Sequence, residues 1–592
     1  MTIEMWLVLG LLFLALIAFA RQWVDPELVS LSILGLLLLT GLVDSEQAVA
    51  GFGHPAVVTV VSMFVLGTGL IKTGVAHTLG QAMSRLAGRT ETGLIIVTMV
   101  TVGLMSAFMN NIAACAILLP VVMNMAREAQ VAPTRLLIPL SFGSLLGGLT
   151  TLIGTPPNLI VSTALPQHGF EAFRMFDFLP TGLAVLAIGV AFMVLVGRHL
   201  LPKREPEEDL FEKYRVREYL TEITILPDSD LVNVPLAESG LGAELGLQVV
   251  GIVRNRRTVL SPRPSFVLHA GDVLIVESSV EDLMKVRRTP GLEIHPEAEL
   301  SAEDLQSPDT LLVEALVAPR SRLAGRTPKQ VAFRHRYGVT ILAVRRQGRT
   351  LRSRLNQIQF RFGDTLLLQG RKERFDEIGK GSDLIILGAL PFEERRGSKA
   401  ALAVAIMAAT VGVSAMGWMP VAGVAPIGAL LMVLTGCLRV QEAYDAIEWR
   451  IVFLIGGMLP LGTAMETTGT AAFIAERITT GLGAFGPHAV MLGIMVVTAA
   501  ITQVVSNAAT AVLMAPLAIS AALNMGIAPH AFVMAVAVGA STAFITPIGH
   551  QSNVLVYGAG DYQFLDFTRV GLPLTVLIAV VMTFLIPLFW PF

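Results

Sequence analysis

The sequence predicts a polytopic α-helical membrane protein in which two related apolar halves flank an inserted α/β tandem domain. Three observations predict it. Hydrophobic residues make up 53% of the 592 and charged residues only 15%, against about 25% charged in ordinary soluble domains. The apolar runs lie before about residue 200 and after about residue 400, and most Lys, Arg, Asp and Glu lie between. The two flanks resemble one another, and the middle repeats itself.

Apolar segments long enough for a membrane helix or half of a re-entrant pair recur at about 5–20, 27–43, 56–71, 92–108, 112–126, 135–153 and 178–197. A second set follows at about 399–416, 421–436, 451–466, 488–504, 508–525, 530–547 and 569–590. Several are broken by Gly and Pro, and a broken helix in lipid must satisfy its freed backbone groups inside the protein or a wet cavity. Such breaks mark cavities. The first run carries Glu4 and no basic residue ahead of it, so it reads as a retained helix rather than a cleaved leader. Arg198, Lys203 and Arg204 before the middle region, and Arg395, Arg396 and Lys399 after it, place that region in the cytoplasm of a cell whose inner membrane holds the rest.

The middle region repeats at a spacing of 92 residues: GLQVVGIVR from Gly246 matches GVTILAVRR from Gly338, and GDVLIV from Gly271 matches GDTLLL from Gly363. Ser229 and Ser321 keep the same spacing. Each copy has β-rich runs bounded by turn residues, a helix-compatible stretch and a Gly-Asp turn before its last apolar strand. This pattern resembles the TrkA-C ligand-binding domain of potassium-conductance regulators, over 215–295 and again over 305–385. The resemblance implies a regulatory or dimerising module whose ligand no residue identifies.

The membrane halves, 1–200 and 395–592, hold a second repeat. NNIAACAILLP from Asn110 lines up with SNAATAVLMAP from Ser506, 396 residues on, and four residues upstream Ser106 and Thr502 pair at the same offset. TLIGTPPN from Thr151 lines up with TPIGHQSN from Thr546. Asn and Ser at the start of an apolar helix put carboxamides, hydroxyls and free N–H groups at a positive helix end, which suits an anion. The Gly- and Pro-broken segments free carbonyls that suit a hard cation beside it. One such motif alone reads equally well as helix capping and kinking; its duplication favours a transport site at the bilayer midplane.

At these residues the chain resembles the divalent anion:sodium symporter family, within the wider ion-transporter superfamily that includes arsenite permeases. That resemblance implies inverted repeats, re-entrant hairpins tipped by Ser-Asn-Thr motifs, sodium beside each tip, a homodimer and an elevator-like movement. Carried over by position, Asn110, Asn111 and Ile112 fill one tip and Ser506, Asn507 and Ala508 the other, with Thr155, Pro156, His550 and Gln551 as further substrate contacts. Ser106, Asn111 and Gly154 would surround one sodium ion, and Thr502, Asn507 and Gly549 the other. No organic cofactor is implied. Ile112 and Ala508 replace the third-position threonines, and His550-Gln551-Ser552 replaces the second Thr-Pro-Pro, which shifts the expectation from dicarboxylates to sulfate or another sulfur oxyanion. His550 is either a partner in the site, making transport pH-dependent, or a structural residue bonded to a backbone carbonyl. Dicarboxylate symport, arsenite-permease-like transport and cation exchange are the alternatives within the superfamily.

Other classes fare worse. Net charge is −2, and nothing in it asks for nucleic acid. Cys115 and Cys437 lack any metal-ligand spacing and read as reduced core thiols. GTGLIKTG from Gly67 fails as a phosphate loop because Ile71 stands where a glycine is required. Tyr444-Asp445 and GAGD ending at Asp561 echo intramembrane aspartyl proteases, but Asp445 sits in a polar stretch and Asp561 near a polar helix end, where one proton cannot be shared between them. The chain is therefore expected not to be an enzyme. A channel or a sensor would keep the duplicated motifs without coupled accumulation. Sodium is favoured over protons as the coupling ion because the repeated motifs offer neutral oxygens. Lys72 and Glu466 are the remaining intramembrane charges, expected to snorkel from helix ends.

Overall fold

A computed structural model describes the chain except for residues 22–23, 76–77, 81–82, 84–87, 89, 203–219, 242–244, 246, 255–256, 261, 264, 278–285, 287–288, 296–309, 319–320, 347–348, 352–354, 380–382, 388–398 and 561. Lys203, Arg204, Gly246, Arg395, Arg396 and Asp561, singled out above, lie outside the described residues. Two compact units emerge: Met1–Lys203, Glu394–Val556 and Phe564–Phe592 form one, and Arg204–Glu393 with Tyr557–Gln563 the other.

The first unit is helical. Its N-terminal half runs α1 (Ile3–Arg21), α2 (Pro26–Leu39), α3 (Ser45–Ala50), α4 (Pro55–Lys72), α5 (Glu91–Ser106), α6 (Asn111–Glu128), α7 (Leu137–Gly148), α8 (Pro156–Ala164) and α9 (Leu179–Phe192). The C-terminal half runs α10 (Ala400–Ala415), α11 (Val421–Leu434), α12 (Val440–Ala446), α13 (Trp449–Thr467), α14 (Thr470–Leu482), α15 (Pro487–Ile501), α16 (Asn507–Asn524), α17 (His530–Ser541), α18 (Gln551–Ala559) and α19 (Phe564–Phe589). Among the described residues five helical stretches are long and apolar enough to cross a membrane: Ser45–Lys72, Asn111–Glu128, Leu179–Leu200, Asn507–Asn524 and Phe564–Phe589. A bent pair, α12 with α13, meets the same test across a 52° break.

The helix ends follow from local chemistry. Pro26, Pro55, Pro156 and Pro487 open α2, α4, α8 and α15, where the missing N–H costs nothing. Asp44 and Gln47 cap α3 reciprocally. α7 and α17 have 12 residues each, about 18 Å of helix at 1.5 Å per residue, well short of a hydrocarbon core of about 30 Å. Every residue of α7 is buried, as is every residue of α17 after His530, so both helices end inside protein. Small residues let them in. A Cβ on Gly143 of α7 would stand 2.8 Å from the Met99 Cα of α5, and one on Gly539 of α17 would stand 2.8 Å from the Met495 oxygen of α15. Both glycines and both methionines are 396 residues apart, so the tip offset extends through the packing of the halves. Phe142 and Phe544 meet at the centre with ring centroids 4.6 Å apart.

The second unit holds two five-stranded antiparallel sheets. The first contains β1 (Leu220–Ile225), β2 (Gln248–Arg254), β3 (Arg257–Leu260), β4 (Val273–Glu277) and β5 (Leu292–His295), in the order β3-β2-β4-β1-β5. The second contains β6 (Thr310–Val317), β7 (Thr340–Arg346), β8 (Arg349–Thr350), β9 (Thr365–Arg371) and β10 (Leu384–Ile386), in the order β10-β6-β9-β7-β8. Matched strand for strand, the two orders are the same. Short helices at Phe333–Tyr337 and Lys372–Gly379 accompany the second sheet, so strands dominate what the sequence presents as α/β.

The Gly-Asp turn has a physical reason. Gly271 and Gly363 sit at φ +84° and +83°, open only to glycine at low cost. The aspartate that follows each is buried and grips an arginine 18 residues upstream: Arg254 with Asp272 at 2.6 Å and Arg346 with Asp364 at 2.7 Å. Each arginine also donates to a carbonyl, Val267 or Gln359, at 2.7 Å. The clamp ties β4 to the end of β2, and β9 to the end of β7. Burial alone would raise the Asp272 carboxyl, but Arg254 and the His269 amide outweigh it and hold it below its ordinary 3.8. Asp383, buried against Arg322 and Tyr337, is lowered in the same way. A depressed carboxylate contributes stability that is present above its unfolded pKa and lost as pH falls through its folded one. The melting temperature of this unit is therefore expected to hold above about pH 4 and to fall below it, and Asp272→Asn is expected to flatten that acid limb in calorimetry of the full chain.

Candidate functional site

At the first tip, α5 ends at Ser106 and the chain turns through Ala107–Asn110 before α6 begins. Asn110 caps α6: its Oδ1 accepts the Ile112 N–H at 2.8 Å, and its Nδ2 donates to Glu448 at 3.2 Å. Asn111 turns inward, its Oδ1 accepting from the Ser106 hydroxyl at 2.6 Å, with both residues buried. The second tip repeats this geometry. Ser506 caps α16 by accepting from the Ala509 N–H at 3.3 Å. Thr502 Oγ1 lies 2.9 Å from Asn507 Oδ1 and 2.8 Å from the Ala540 carbonyl oxygen, and its single proton serves one of them at a time. Three oxygens thus converge around one proton, an electron-rich cluster suited to a cation. Asn507 Nδ2 is buried and has no partner among the described residues.

Opposite each tip lies a helix break, closed by an asparagine. Asn158 Nδ2 donates to the Gly148 carbonyl at 3.2 Å and the Thr151 carbonyl at 2.8 Å, joining the end of α7 to the loop before α8. Asn553 Nδ2 donates to Ala543 at 2.6 Å and Thr546 at 3.1 Å, 10 and 7 residues upstream as in the first half. These four carbonyls lie outside the segments 154–158 and 547–550, whose carbonyls are the ones expected to coordinate a cation. The two asparagines differ in one respect. Asn553 Oδ1 accepts from the Ser141 hydroxyl at 2.7 Å, whereas Asn158 Oδ1 is buried without a partner among the described residues. At the 396-residue offset Ser141 corresponds to Ala537, which has no hydroxyl to donate.

Tips and breaks meet around one cavity of about 460 Å³. Asn110, Asn111, Ile112, Thr155, Pro156, Ser506, Asn507, Ala508, His550 and Gln551 all line it, as do Gly154 and Gly549. Ser106 and Thr502 lie behind the wall, fully buried, and reach it through Asn111 and Asn507. The structure therefore brings together all the residues that the two motifs nominate.

His550 lines the cavity and also bonds locally. Its Nδ1 accepts the Ser552 backbone N–H at 3.1 Å and lies 2.7 Å from the Ser552 hydroxyl, so it bonds an amide and not a carbonyl, and Nε2 carries the ring proton. It caps the break before α18 while lining the cavity. Glu466 does not snorkel; it lies 3.5 Å from His168 and lines a second, smaller cavity of about 170 Å³ with His54 and Pro516. Lys72 is exposed at the end of α4. Asp445 is exposed and hydrogen-bonded to Gln441.

Sequence reasoning missed Asp25, Glu27 and Arg450, the charged residues among those lining the main cavity. Their signal was present: Asp25 and Glu27 flank the proline that opens α2, and Glu448-Trp449-Arg450 opens α13 directly after a polar stretch.

The family profile CitMHS, described as a citrate transporter, matches residues 14–539. An uncharacterized transporter of Synechocystis, sll0640, is 35% identical over 99% of this chain and 97% of its own length. The uncharacterized transporter YfbS of Escherichia coli is 33% identical over 99% of both. Sodium/sulfate cotransporter 1 of Chlamydomonas reinhardtii is 22% identical over 97% of this chain and 88% of its own.

Proposed function

The chain belongs to the citrate transporter family CitMHS, a family of transporters and not of enzymes, and from that membership we propose that it is a secondary active transporter coupling sodium entry to uptake of a small divalent oxyanion. The observation that carries the reading is the twofold tip: one carboxamide at each of two helix starts, each backed by a buried hydroxyl, both facing a single cavity. Helix N-termini favour the anion. The neutral oxygens behind them favour a cation that needs no proton bookkeeping.

In this reading Asn110, Asn111, Thr155, Ser506, Asn507 and Gln551 hold the anion, with Ile112, Ala508, Pro156 and His550 shaping the cavity around it. Sodium sits at Ser106, Asn111 and Gly154, and again at Thr502, Asn507 and Gly549. Sulfate or a related sulfur oxyanion is the favoured substrate, supported by Ile112 and Ala508, which remove two hydroxyls from the tips, and by the sodium/sulfate cotransporters among the relatives. A carboxylate substrate is the second reading, favoured by a cavity of about 460 Å³, ample for citrate. The halves work as inverted repeats with re-entrant hairpins in a homodimer of the plasma membrane and move in an elevator-like manner. The two sheet domains lie in the cytoplasm as TrkA-C-like regulatory modules.

Labelled sulfate is expected to accumulate in proteoliposomes only under an inward sodium gradient, and to be displaced by thiosulfate more strongly than by succinate or citrate. Stronger displacement by citrate would select the carboxylate reading. Failure to accumulate sulfate, thiosulfate, citrate, succinate or phosphate would remove the anion reading.

A further inference from the structure

We infer that Arg450 is the substrate-binding cation of the main cavity, held by Glu27 when the cavity is empty and transferred to the oxyanion when it fills; this deepens the transport reading above and rests on it. Among the described residues that line the cavity, Arg450 is the sole Lys or Arg. It stands in the first turn of α13, two residues after Glu448, which holds the Asn110 carboxamide of the first tip at 3.2 Å. The break between α12 and α13 therefore delivers a guanidinium beside the residues that define the site.

The pairing with Glu27 has the geometry of a latch rather than a staple. Arg450 Nε lies 3.2 Å from Glu27 Oε1, with the carboxylate side chain 16% exposed and the guanidinium side chain 73% exposed. An ion pair with one partner so open to solvent adds little to stability, so a purely structural role does not account for this arginine beside the tip. The Nη groups make no hydrogen bond to a described residue, and a planar fork with free donors matches two oxygens of a sulfate or carboxylate at once. An oxyanion reaching the cavity competes with Glu27 for that fork. Asp25 and Glu27 repel the same anion, so without Arg450 the Asp, Glu, Lys and Arg side chains among the described residues lining the cavity are all negative.

The test is uptake of labelled sulfate in proteoliposomes by Arg450→Gln, Arg450→Lys and Glu27→Gln, with KM and maximal rate read separately. Removing a charge-assisted hydrogen bond is expected to raise the KM of Arg450→Gln about tenfold or more, with the maximal rate within about threefold. Arg450→Lys is expected to recover part of the affinity, and Glu27→Gln, which frees the guanidinium, to lower KM below wild type. Sodium half-saturation should be unchanged in all three. An unchanged KM in Arg450→Gln, or parallel losses of maximal rate in Arg450→Gln and Glu27→Gln, would overturn the inference and leave a structural ion pair. A wild type that accumulates no anion overturns the transport reading itself, and this inference with it.

Discussion

Asn111→Ala and Asn507→Ala are each expected to abolish sodium-dependent accumulation, with uptake falling about 100-fold or more. Each carboxamide sits at the start of an apolar helix, so alanine preserves the helix and removes only the polar end. At Asn507 the loss strips the Oδ1 that faces the Thr502 hydroxyl and the buried Nδ2 that has no partner among the described residues. A hydrogen bond to a charged group contributes about 1.5–3 kcal/mol, and about 1.4 kcal/mol is tenfold in rate, so losing one ion contact and one anion contact together predicts that range. Initial rates of labelled sulfate uptake check it. Retention of more than half the wild-type rate by either variant would remove that tip from the mechanism.

Gly154→Ala is expected to inactivate the transporter, while Gly549→Ala, its counterpart in the other half, is tolerated. A Cβ on Gly154 would overlap the Gly148 carbonyl oxygen and come within 3.0 Å of the Gly148 Cα, so the backbone must move. Gly148 has nowhere to go: a Cβ placed on it would already stand 2.8 Å from Asn111 Oδ1. The displacement thus reaches Asn111, one of the residues proposed to hold the first sodium ion. A Cβ on Gly549 would meet Thr546 Oγ1 at 3.1 Å and the Ala543 Cβ at 3.4 Å, contacts that a shift of a few tenths of an ångström relieves. Overpacking of the first kind costs about 1–3 kcal/mol. Purified Gly154→Ala should show a lowered melting temperature and uptake reduced at least about tenfold, and Gly549→Ala uptake within about threefold of wild type. Equal effects in both would mean that the two breaks are packed alike.

The candidate site was legible because its motifs are written twice. Asn110-Asn111 and Ser506-Asn507 stood out at one fixed offset, and every residue nominated from the two motifs lies at the main cavity or directly behind it. What stayed hidden depends on pairings between distant segments. Ser141 reaches Asn553 across 412 positions and Asn110 reaches Glu448 across 338, and no local pattern reports either. Glu466 was read as a snorkelling charge because its partner His168 lies far off in sequence, in the turn after α8. His550 is expected either as a partner in the site or as bonded to a backbone carbonyl; the break before α18 turns a backbone amide toward its ring. Asn158 and Asn553 were visible as motif ends. Their work, drawing the broken backbone back to carbonyls 7 and 10 residues upstream, appears only in three dimensions.

Equilibrium binding of labelled sodium to the purified protein tests the central claim most directly, that each half supplies its own cation position beside a shared anion. Two saturable sites per chain are predicted for the wild type, falling to one in Asn111→Ala and to one in Asn507→Ala. Full binding in both variants, or no saturable sodium binding in the wild type, would contradict it.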